Sequence, residues 1–285
     1  MAQTGVGEIA LRPENVQELV KNISMRAFEM KKNIATVVKS NAWTEGFYRE
    51  SATTVDAIDD IPRGAEFPQD TPKWDKITTR LQKFGIEGFI TWEDAMTDKV
   101  DVIARTIARL TMRITERVDL NIWNALTENQ SASAINTFAA SATWNNVTRT
   151  NRKPHEDIAL AARTISDSTL QSYRADTIIL SPFDWAYVIT NDDILAAYTR
   201  SKENVMKSGI MGDIMGLDVL VSPVVTADYA AVCQKKVCLT YREAESLRSV
   251  TIKDEGKGHT IRVWETGVAQ VTDPKAICLI TNTQA

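Results

Sequence analysis

One long amphipathic helix constrains the fold of this chain more than any other sequence feature. Thr91-Trp92-Glu93-Asp94 is typical of a helix start. Apolar residues then recur in steps of three and four, as one face of a helix requires: Val100, Ile103, Ala104, Ile107, Leu110, Ile114, Val118, Ile122 and Ala125. The opposite face is charged: Asp101, Arg105, Arg109, Arg113, Glu116, Arg117 and Asp119. The pattern predicts one helix with a single buried face, between an extended polar segment and a mixed α/β segment.

Composition and charge allow a substantial core and exclude a strongly basic protein. The 285 residues are 44% apolar and 25% charged, which suits one elongated domain or two compact domains. The formal net charge of −4 gives no support to nucleic-acid binding over the whole surface, which would favour a basic excess. A surface that only encloses nucleic acid does not need to be basic.

Neither a targeting segment nor a membrane span is visible in the sequence. No apolar run approaches the roughly 20 residues of a span, and the first residues lack the pattern of a signal peptide. Cys233, Cys238 and Cys278 are few and odd in number, which argues against a disulfide framework. We therefore expect synthesis in a reducing cytoplasm.

Two segments precede the long helix. Residues 13–38 have a helical pattern of apolar positions, and this arm lies either on a neighbouring chain or on its own surface: Val16, Leu19, Val20, Ile23, Phe28 and Ile34. Residues 48–55 and 74–84 alternate like strands around a turn-rich middle, and Gly85 and Gly88 are expected to interrupt the return to residues 89–91. This projection has too few apolar positions to bury both faces, so we expect it to pack on another chain rather than on its own domain.

The segment after the long helix alternates between helices and strands. Residues 129–153 form a polar connector, and we expect helices over residues 155–165, from Ser181-Pro182 onward, and over residues 194–206. The middle helix should bury Phe183, Trp185, Ala186 and Ile189. Expected strands cover residues 176–180, 217–221, 236–241, 248–252, 259–264, 267–271 and 276–281, with a hairpin turn over residues 254–258.

The order of these elements resembles the major capsid proteins of the Hong-Kong-97 fold, which occur in tailed phages, archaeal viruses and encapsulin shells. The resemblance rests on the segments Ile90-Thr91-Trp92-Glu93-Asp94, Asp119-Leu120-Asn121-Ile122-Trp123, Ile178-Ile179-Leu180-Ser181-Pro182 and Ile214 to Pro223. It implies an α+β fold with an N-terminal arm (1–46), an extended β-hairpin loop (47–90), a peripheral domain with a spine helix (91–144 and 256–285) and an α/β axial domain (145–255).

The resemblance also implies a function. Many copies would form hexamers and pentamers of an icosahedral virion capsid, assembled in the host cytoplasm, that encloses double-stranded DNA without reading its sequence. Portal, scaffolding and cement proteins are candidate partners, and any scaffold is expected to be a separate protein. Two alternatives remain: an encapsulin-type compartment with the same fold, and an α/β enzyme with an unrecognised site.

The candidate chemical groups in the sequence favour a protein without catalytic, cofactor or metal sites. His155 and His259 lack a Gly-x-Ser-x-Gly motif, and the spacing of the three cysteines is not that of a zinc site. Two groups of residues are explained more simply as loops: Gly209, Gly212 and Gly216 as a tight loop, and Asp56, Asp59 and Asp60 as a solvated loop tip. Some proteins of the Hong-Kong-97 fold form a lysine–asparagine cross-link from the extended loop. Lys73, Lys76 and Lys83 lie in the matching region, but no catalytic residue is assigned to them.

Overall fold

The protein is a mixture of helices and strands, as expected. The computed structural model describes residues 13–27, 30–51, 61–67, 69, 73–97, 102–128, 135–167, 173–200 and 213–284. The helices are α1 (Pro13–Ala27), α2 (Met30–Asn33), α3 (Trp92–Thr97), α4 (Val102–Glu128), α5 (Pro154–Asp167), α6 (Pro182–Ile189) and α7 (Asp192–Arg200). The strands are β1 (Thr36–Lys39), β2 (Thr44–Ser51), β3 (Lys73–Arg80), β4 (Gln82–Thr91), β5 (Asn136–Ala139), β6 (Thr177–Leu180), β7 (Asp213–Ile214), β8 (Leu217–Val221), β9 (Tyr229–Cys233), β10 (Leu239–Asp254), β11 (Gly258–Val271) and β12 (Ile277–Thr281).

The strands form three sheets. A four-stranded sheet has the order β1-β10-β11-β4, a six-stranded sheet has the order β5-β12-β9-β6-β8-β7, and β2 pairs with β3 in a two-stranded sheet. The first core lies between the four-stranded sheet and the helices α1 and α4, and it extends to one face of the six-stranded sheet through Ile179, Ala231 and Leu279. The adjacent residues Ile178 and Val232 on the same strands point to the opposite face of this sheet, into a second core.

The spine helix α4 has the predicted phase. Ile107 and Ile114 are buried, and Arg105 and Arg109 are exposed. Asp119, predicted on the charged face, is instead 4% exposed, because its carboxylate accepts hydrogen bonds from backbone N–H groups of α2. The predicted start appears as the separate helix α3, while Val100 and Asp101 lie outside the described residues.

Strand β4 corrects the prediction for the segment before the spine. Residues 74–84 are not one strand, because β3 ends at Arg80 and β4 runs without interruption through Gly85 and Gly88. All ten β4 residues pair antiparallel with β11. A Cβ at Gly88 would lie 2.9 Å from Leu110 Cδ1, so the glycine allows the spine helix to approach the sheet closely. The last part of the predicted projection, residues 82–90, therefore belongs to the four-stranded sheet.

The N-terminal segment packs on its own chain. Val16 and Val20 of α1 are each 1% exposed and belong to the core formed with the spine. The predicted helical pattern to residue 38 is wrong at its end, since residues 36–39 form β1, which pairs parallel with β10. Tertiary pairing outweighs the helical periodicity there, and Thr36-Val37-Val38 has high β propensity. Phe28 lies outside the described residues.

A buried ionic cluster attaches α2 to the middle of the sheet. Lys31 Nζ donates hydrogen bonds to Glu243 Oε1 on β10 at 2.7 Å and to Glu265 Oε1 on β11 at 2.6 Å. Tyr241 Oη donates to the same Glu265 oxygen at 3.1 Å. Asp119 accepts the N–H groups of Met30 and Lys31 at 3.5 and 3.2 Å. The cluster thus joins α2, the spine and both central strands.

Burial controls the protonation of this cluster. Desolvation raises the pKa of the Glu265 carboxyl, and the nearby Lys31 ammonium only partly offsets that effect. Desolvation and the Glu265 carboxylate together raise the pKa of Tyr241, which therefore remains a hydroxyl donor. Glu265 Oε2 is buried and has no hydrogen-bond partner among the described residues.

The second core is closed by a loop and a capped helix. Trp144 is fully buried, and its indole N–H donates to Asp157 Oδ2 at 2.9 Å, so the predicted polar connector is ordered over residues 135–153 and includes β5. Ser181 caps α6 as predicted, accepting the Asp184 N–H at 3.1 Å. The predicted buried face of α6 is correct in part: Trp185 and Ile189 are partly buried against the second core, as expected. Phe183 is 68% exposed and Ala186 is exposed, whereas Asp184 and Val188 are buried.

The C-terminal strands are longer than predicted. The four segments expected between residues 236 and 271 merge into two strands, β10 and β11, whose pairing is shifted at Glu243 and Glu245. Strand β9 had no sequence prediction, although it lies in the middle of the six-stranded sheet. The strand pairings cross the expected domain boundaries. Strands β5 and β12, expected in the peripheral domain, belong to the same sheet as β6 of the axial domain, and β10, expected in the axial domain, pairs with β11 of the peripheral domain. The division into domains remains a prediction.

We predict that Ile107→Asp abolishes soluble expression, whereas Met112→Asp does not. Ile107 is 1% exposed, so its replacement buries an unpaired carboxylate at a cost of several kcal/mol. Met112, on the same helix, is 57% exposed and provides the matched control. The measurement is the soluble fraction of each variant after cell lysis. Soluble Ile107→Asp protein with an unchanged thermal midpoint would contradict the phase of the helix.

We predict that Lys31→Met lowers the free energy of unfolding by about 3 kcal/mol, because it leaves the buried Glu265 carboxylate beside the partly buried Glu243 carboxylate without a cation. Chemical denaturation measures the loss. A second change, Glu265→Gln in the Lys31→Met background, should recover part of it by removing one of those charges. Exposed Lys153→Met, which breaks only a surface pair with Glu156, is the control and should change stability little.

Candidate functional site

The two histidines lie on different elements, a helix and a strand, and form no catalytic arrangement in the described part of the chain. His155 is at the start of α5, and His259 is on β11, with its ring centroid 6.3 Å from that of Trp92. The Nδ1 atom of each ring is buried without a hydrogen-bond partner among the described residues. General-base chemistry requires a hydrogen-bonded nucleophile or orienting acid, and these rings contact neither.

The three cysteines are buried thiols in two different cores. Cys233 and Cys238 belong to the core with the spine, and Cys278 points into the second core. The hydrogen bond between the Cys238 thiol and Cys233 raises the pKa of Cys238, and burial raises it further; burial also raises the pKa of Cys278 to about 12. Protonated, inaccessible thiols are poor nucleophiles and poor metal ligands.

The remaining sequence candidates are loop and surface residues. Gly216 has φ +77° in the turn between β7 and β8, whereas Gly209 and Gly212 lie outside the described residues. Asp56, Asp59 and Asp60 also lie outside the described residues. Lys76 and Lys83 are exposed, and Lys83 Nζ lies 5.5 Å from the centroid of the Trp264 ring.

The described residues contain neither a candidate metal site nor a candidate membrane-spanning helix. No group of three or more His, Cys, Asp or Glu side chains is placed to hold a metal ion in that part of the chain. Of the helices described, none combines the length and the apolar character that crossing a bilayer requires.

The β2–β3 hairpin offers the clearest surface for a partner. Tyr48 and Trp74 lie on one face of this two-stranded sheet, in register with Lys76 and Glu50. Tyr48 is 64% exposed and Trp74 is 56% exposed. We call Tyr48 and Trp74 the hairpin aromatic surface. Large aromatic side chains exposed together are typical of interaction sites.

The other face of the hairpin is anchored to the fold. Phe47, on that face, is 8% exposed, and Arg49 Nη2 donates to the Val271 carbonyl at 2.7 Å. Gln270 donates from its amide to Thr79 Oγ1. The aromatic face is therefore held in a fixed orientation and is not covered by the described residues. The sequence predicted the projection, but only the strand register shows which face remains open.

Comparisons with known proteins agree on one family and one fold. A family model described as phage capsid protein matches residues 75–280, and no curated protein matches the chain. The capsid structure of the cyanophage P-SCSP1u has a TM-score of 0.63 at 13% identity and covers 87% of this chain and 86% of its own.

Two further structures are similar over most of their length. A structure of Mycobacterium phage Che8 has a TM-score of 0.65 at 14% identity, with 86% of each chain covered. A virus-like particle from Pyrococcus furiosus has a TM-score of 0.63 at 10% identity, with 94% of this chain and 98% of that chain covered.

These similarities show that the spine helix, the open hairpin and the two large sheets are the Hong-Kong-97 fold of phage capsids. The family match covers well over half of the chain and includes the spine and most of both large sheets, with β1 outside it. The chain belongs to the phage capsid protein family, and it is a structural capsid protein.

Proposed function

We propose that copies of this chain assemble as hexamers and pentamers that close an icosahedral shell around viral double-stranded DNA. The single observation that carries this proposal is the β2–β3 hairpin, which is anchored on one face and presents exposed aromatic residues on the other. A two-stranded sheet is marginal in water without further packing. A neighbouring copy of the chain would cover the hairpin aromatic surface and gain apolar burial there.

Each large sheet would occupy a different region of the shell subunit. The four-stranded sheet and the spine would form the peripheral region, and the six-stranded sheet would form the axial region near local symmetry axes. The shell would be assembled in the host cytoplasm and become the virion capsid. Portal, scaffolding and cement proteins are the further partners that such a shell implies.

An encapsulin-type compartment is the principal alternative, since it shares the fold. The family match is to phage capsids, and the comparisons give the encapsulin no better support. Electron microscopy of the purified protein tests for shells, and analysis of their contents separates the two functions. Nuclease-protected double-stranded DNA supports the viral capsid, whereas a protein cargo without DNA contradicts it.

We predict that the double variant Tyr48→Glu, Trp74→Glu stays folded and soluble but forms no closed shells, because charges on the hairpin aromatic surface prevent its burial. Removal of residues 56–72 should have the same effect. Val147, which is 95% exposed on another part of the surface, provides the control variant Val147→Asp. Sedimentation and microscopy measure assembly. Normal shells from both hairpin variants would show that the hairpin is not an essential contact.

We predict that shells still form when His155 and His259 are replaced by Gln and Cys233, Cys238 and Cys278 by Ala. The cavities left by the buried thiols should cost on the order of 1 kcal/mol each, so assembly is best measured at low temperature. An enzyme that uses any of these groups would keep its fold and lose its rate by orders of magnitude. A monomeric wild-type protein with a turnover that one of these changes abolishes would contradict a purely structural function.

A further inference from the structure

Four arginines form a ridge along the exposed face of the spine helix. Arg105, Arg109, Arg113 and Arg117 follow one another at intervals of four residues, and each is exposed. Side chains four residues apart lie on the same side of a helix, and the rise of about 1.5 Å per residue gives the ridge a length of about 18 Å. We call these residues the arginine ridge. The sequence pattern predicted that acidic residues share this face, but Asp119 is buried in the core.

The charges of the arginine ridge are not balanced within the described chain. None of the four guanidinium groups forms an ion pair with a described carboxylate, including exposed Glu116 on the same helix. Like charges four residues apart destabilise a helix. By contrast, Arg262 pairs with Glu87 on the neighbouring strand and Arg248 pairs with Glu245. The unbalanced ridge therefore favours an anion from outside the subunit.

A cationic cleft lies beside the ridge. It has a volume of about 440 Å³ and lies between the spine helix and β4, the edge strand of the four-stranded sheet. Lys83, Arg113 and Arg117 contribute its charged groups, and its other lining residues are apolar or glycine. With no carboxylate in its lining, the cleft continues the positive charge of the ridge toward the sheet edge.

We propose that the arginine ridge and Lys83 bind the phosphate backbone of double-stranded DNA without reading its sequence. The inference rests on the proposed function, in which the shell encloses DNA. Double-stranded DNA carries one negative charge per about 1.7 Å of axis, so the ridge would face about ten phosphate charges. Arginine suits this contact because its planar guanidinium binds phosphate oxygens in a bidentate manner.

The evenly spaced cations favour DNA over an acidic protein segment. A duplex offers a continuous row of charges to all four arginines, whatever its sequence. Among the described residues of this helix, Met112 is the one large apolar side chain that is exposed, and the apolar stripe is buried, which leaves few anchors for specific binding of a peptide. Contacts of this kind supply affinity and orientation, not sequence recognition.

The test compares two variants of equal charge. The ridge variant replaces Arg105, Arg109, Arg113 and Arg117 with Gln. The control variant replaces four exposed arginines elsewhere with Gln: Arg63, Arg149, Arg163 and Arg174. Unassembled subunits, verified by sedimentation, are titrated with a labelled mixed-sequence duplex of about 30 base pairs between about 50 and 200 mM salt, and fluorescence anisotropy measures the affinity.

Each phosphate contact contributes about 0.9 to the slope of log affinity against log salt, so the ridge variant should lose about 3.6 from that slope and at least tenfold in affinity. The control should keep the wild-type slope. Replacing the four ridge residues with Lys should also keep the slope, because the number of charges is unchanged. If the ridge variant is unfolded by circular dichroism, Arg109→Gln and Arg113→Gln singly should each lower the slope by about 0.9.

Equal slopes for the ridge and control variants would overturn the inference, as would undetectable binding of the duplex by wild-type subunits. Polyglutamate that binds the ridge as tightly as the duplex does would also overturn it and indicate an acidic protein partner. Microscopy separates this failure from that of the proposed function: shells formed by a wild-type protein that does not bind DNA contradict only the ridge, whereas the absence of wild-type shells contradicts the proposed function.

Discussion

The contact of Lys31 with Glu265 holds the fold together at the point where three layers meet. The lysine lies on the short helix α2, whose backbone N–H groups bind Asp119 of the spine, while its ammonium group bridges β10 and β11. Removing these charges from water is expensive, and only the close geometry and the additional Tyr241 hydrogen bond compensate for that cost. An apolar contact would be less dependent on geometry. The buried pair instead permits one position of the N-terminal segment, which also adds β1 to the sheet edge.

That constraint explains why the subunit can carry a projecting hairpin. β4 leaves the hairpin and enters the four-stranded sheet directly, with one residue, Leu81, between β3 and β4. Leu81 is 3% exposed, so the junction is fixed in the core. Gly88 brings the spine against the same strand. The orientation of the hairpin is thus determined by the sheet, and a neighbour that packed on its aromatic face would order less of the chain than it would on a flexible hairpin.

The sequence was informative where a local pattern and the tertiary environment agree. The spine phase followed from the spacing of Ile107 and Ile114, and the start of α6 followed from Ser181-Pro182, since caps and amphipathic stripes are local properties. The prediction failed where residues distant in sequence determine whether a side chain is buried. The burial of Asp119 depends on α2, about 90 positions earlier in the chain. The exposure of Phe183 depends on which side of α6 contacts the sheet.

The surface candidates were predictable to different degrees. The alternation of residues 48–55 and 74–84 indicated a projection, but the register of Tyr48 with Lys76 was needed to identify its open face. The arginines of the spine were visible as a charged face, but their lack of acidic partners required the positions of Asp119, Glu116 and Glu87. The buried cluster had no sequence signal, because Lys31, Glu243 and Glu265 are distant in sequence and each is of a type that usually lies on the surface.

A net charge of −4 and a DNA-facing ridge are compatible because electrostatic interactions in salt are local. At physiological ionic strength the Debye length is about 8 Å, so a DNA strand senses the charges near it and little of the remaining surface. The arginine ridge is longer than this distance, and the cleft at its end contains no carboxylate. The acidic excess elsewhere would discourage nucleic acid from binding to other faces of the subunit. A subunit with an exposed aromatic surface on its hairpin and cations on its spine would therefore use different forces for the protein neighbours and for the DNA that we propose.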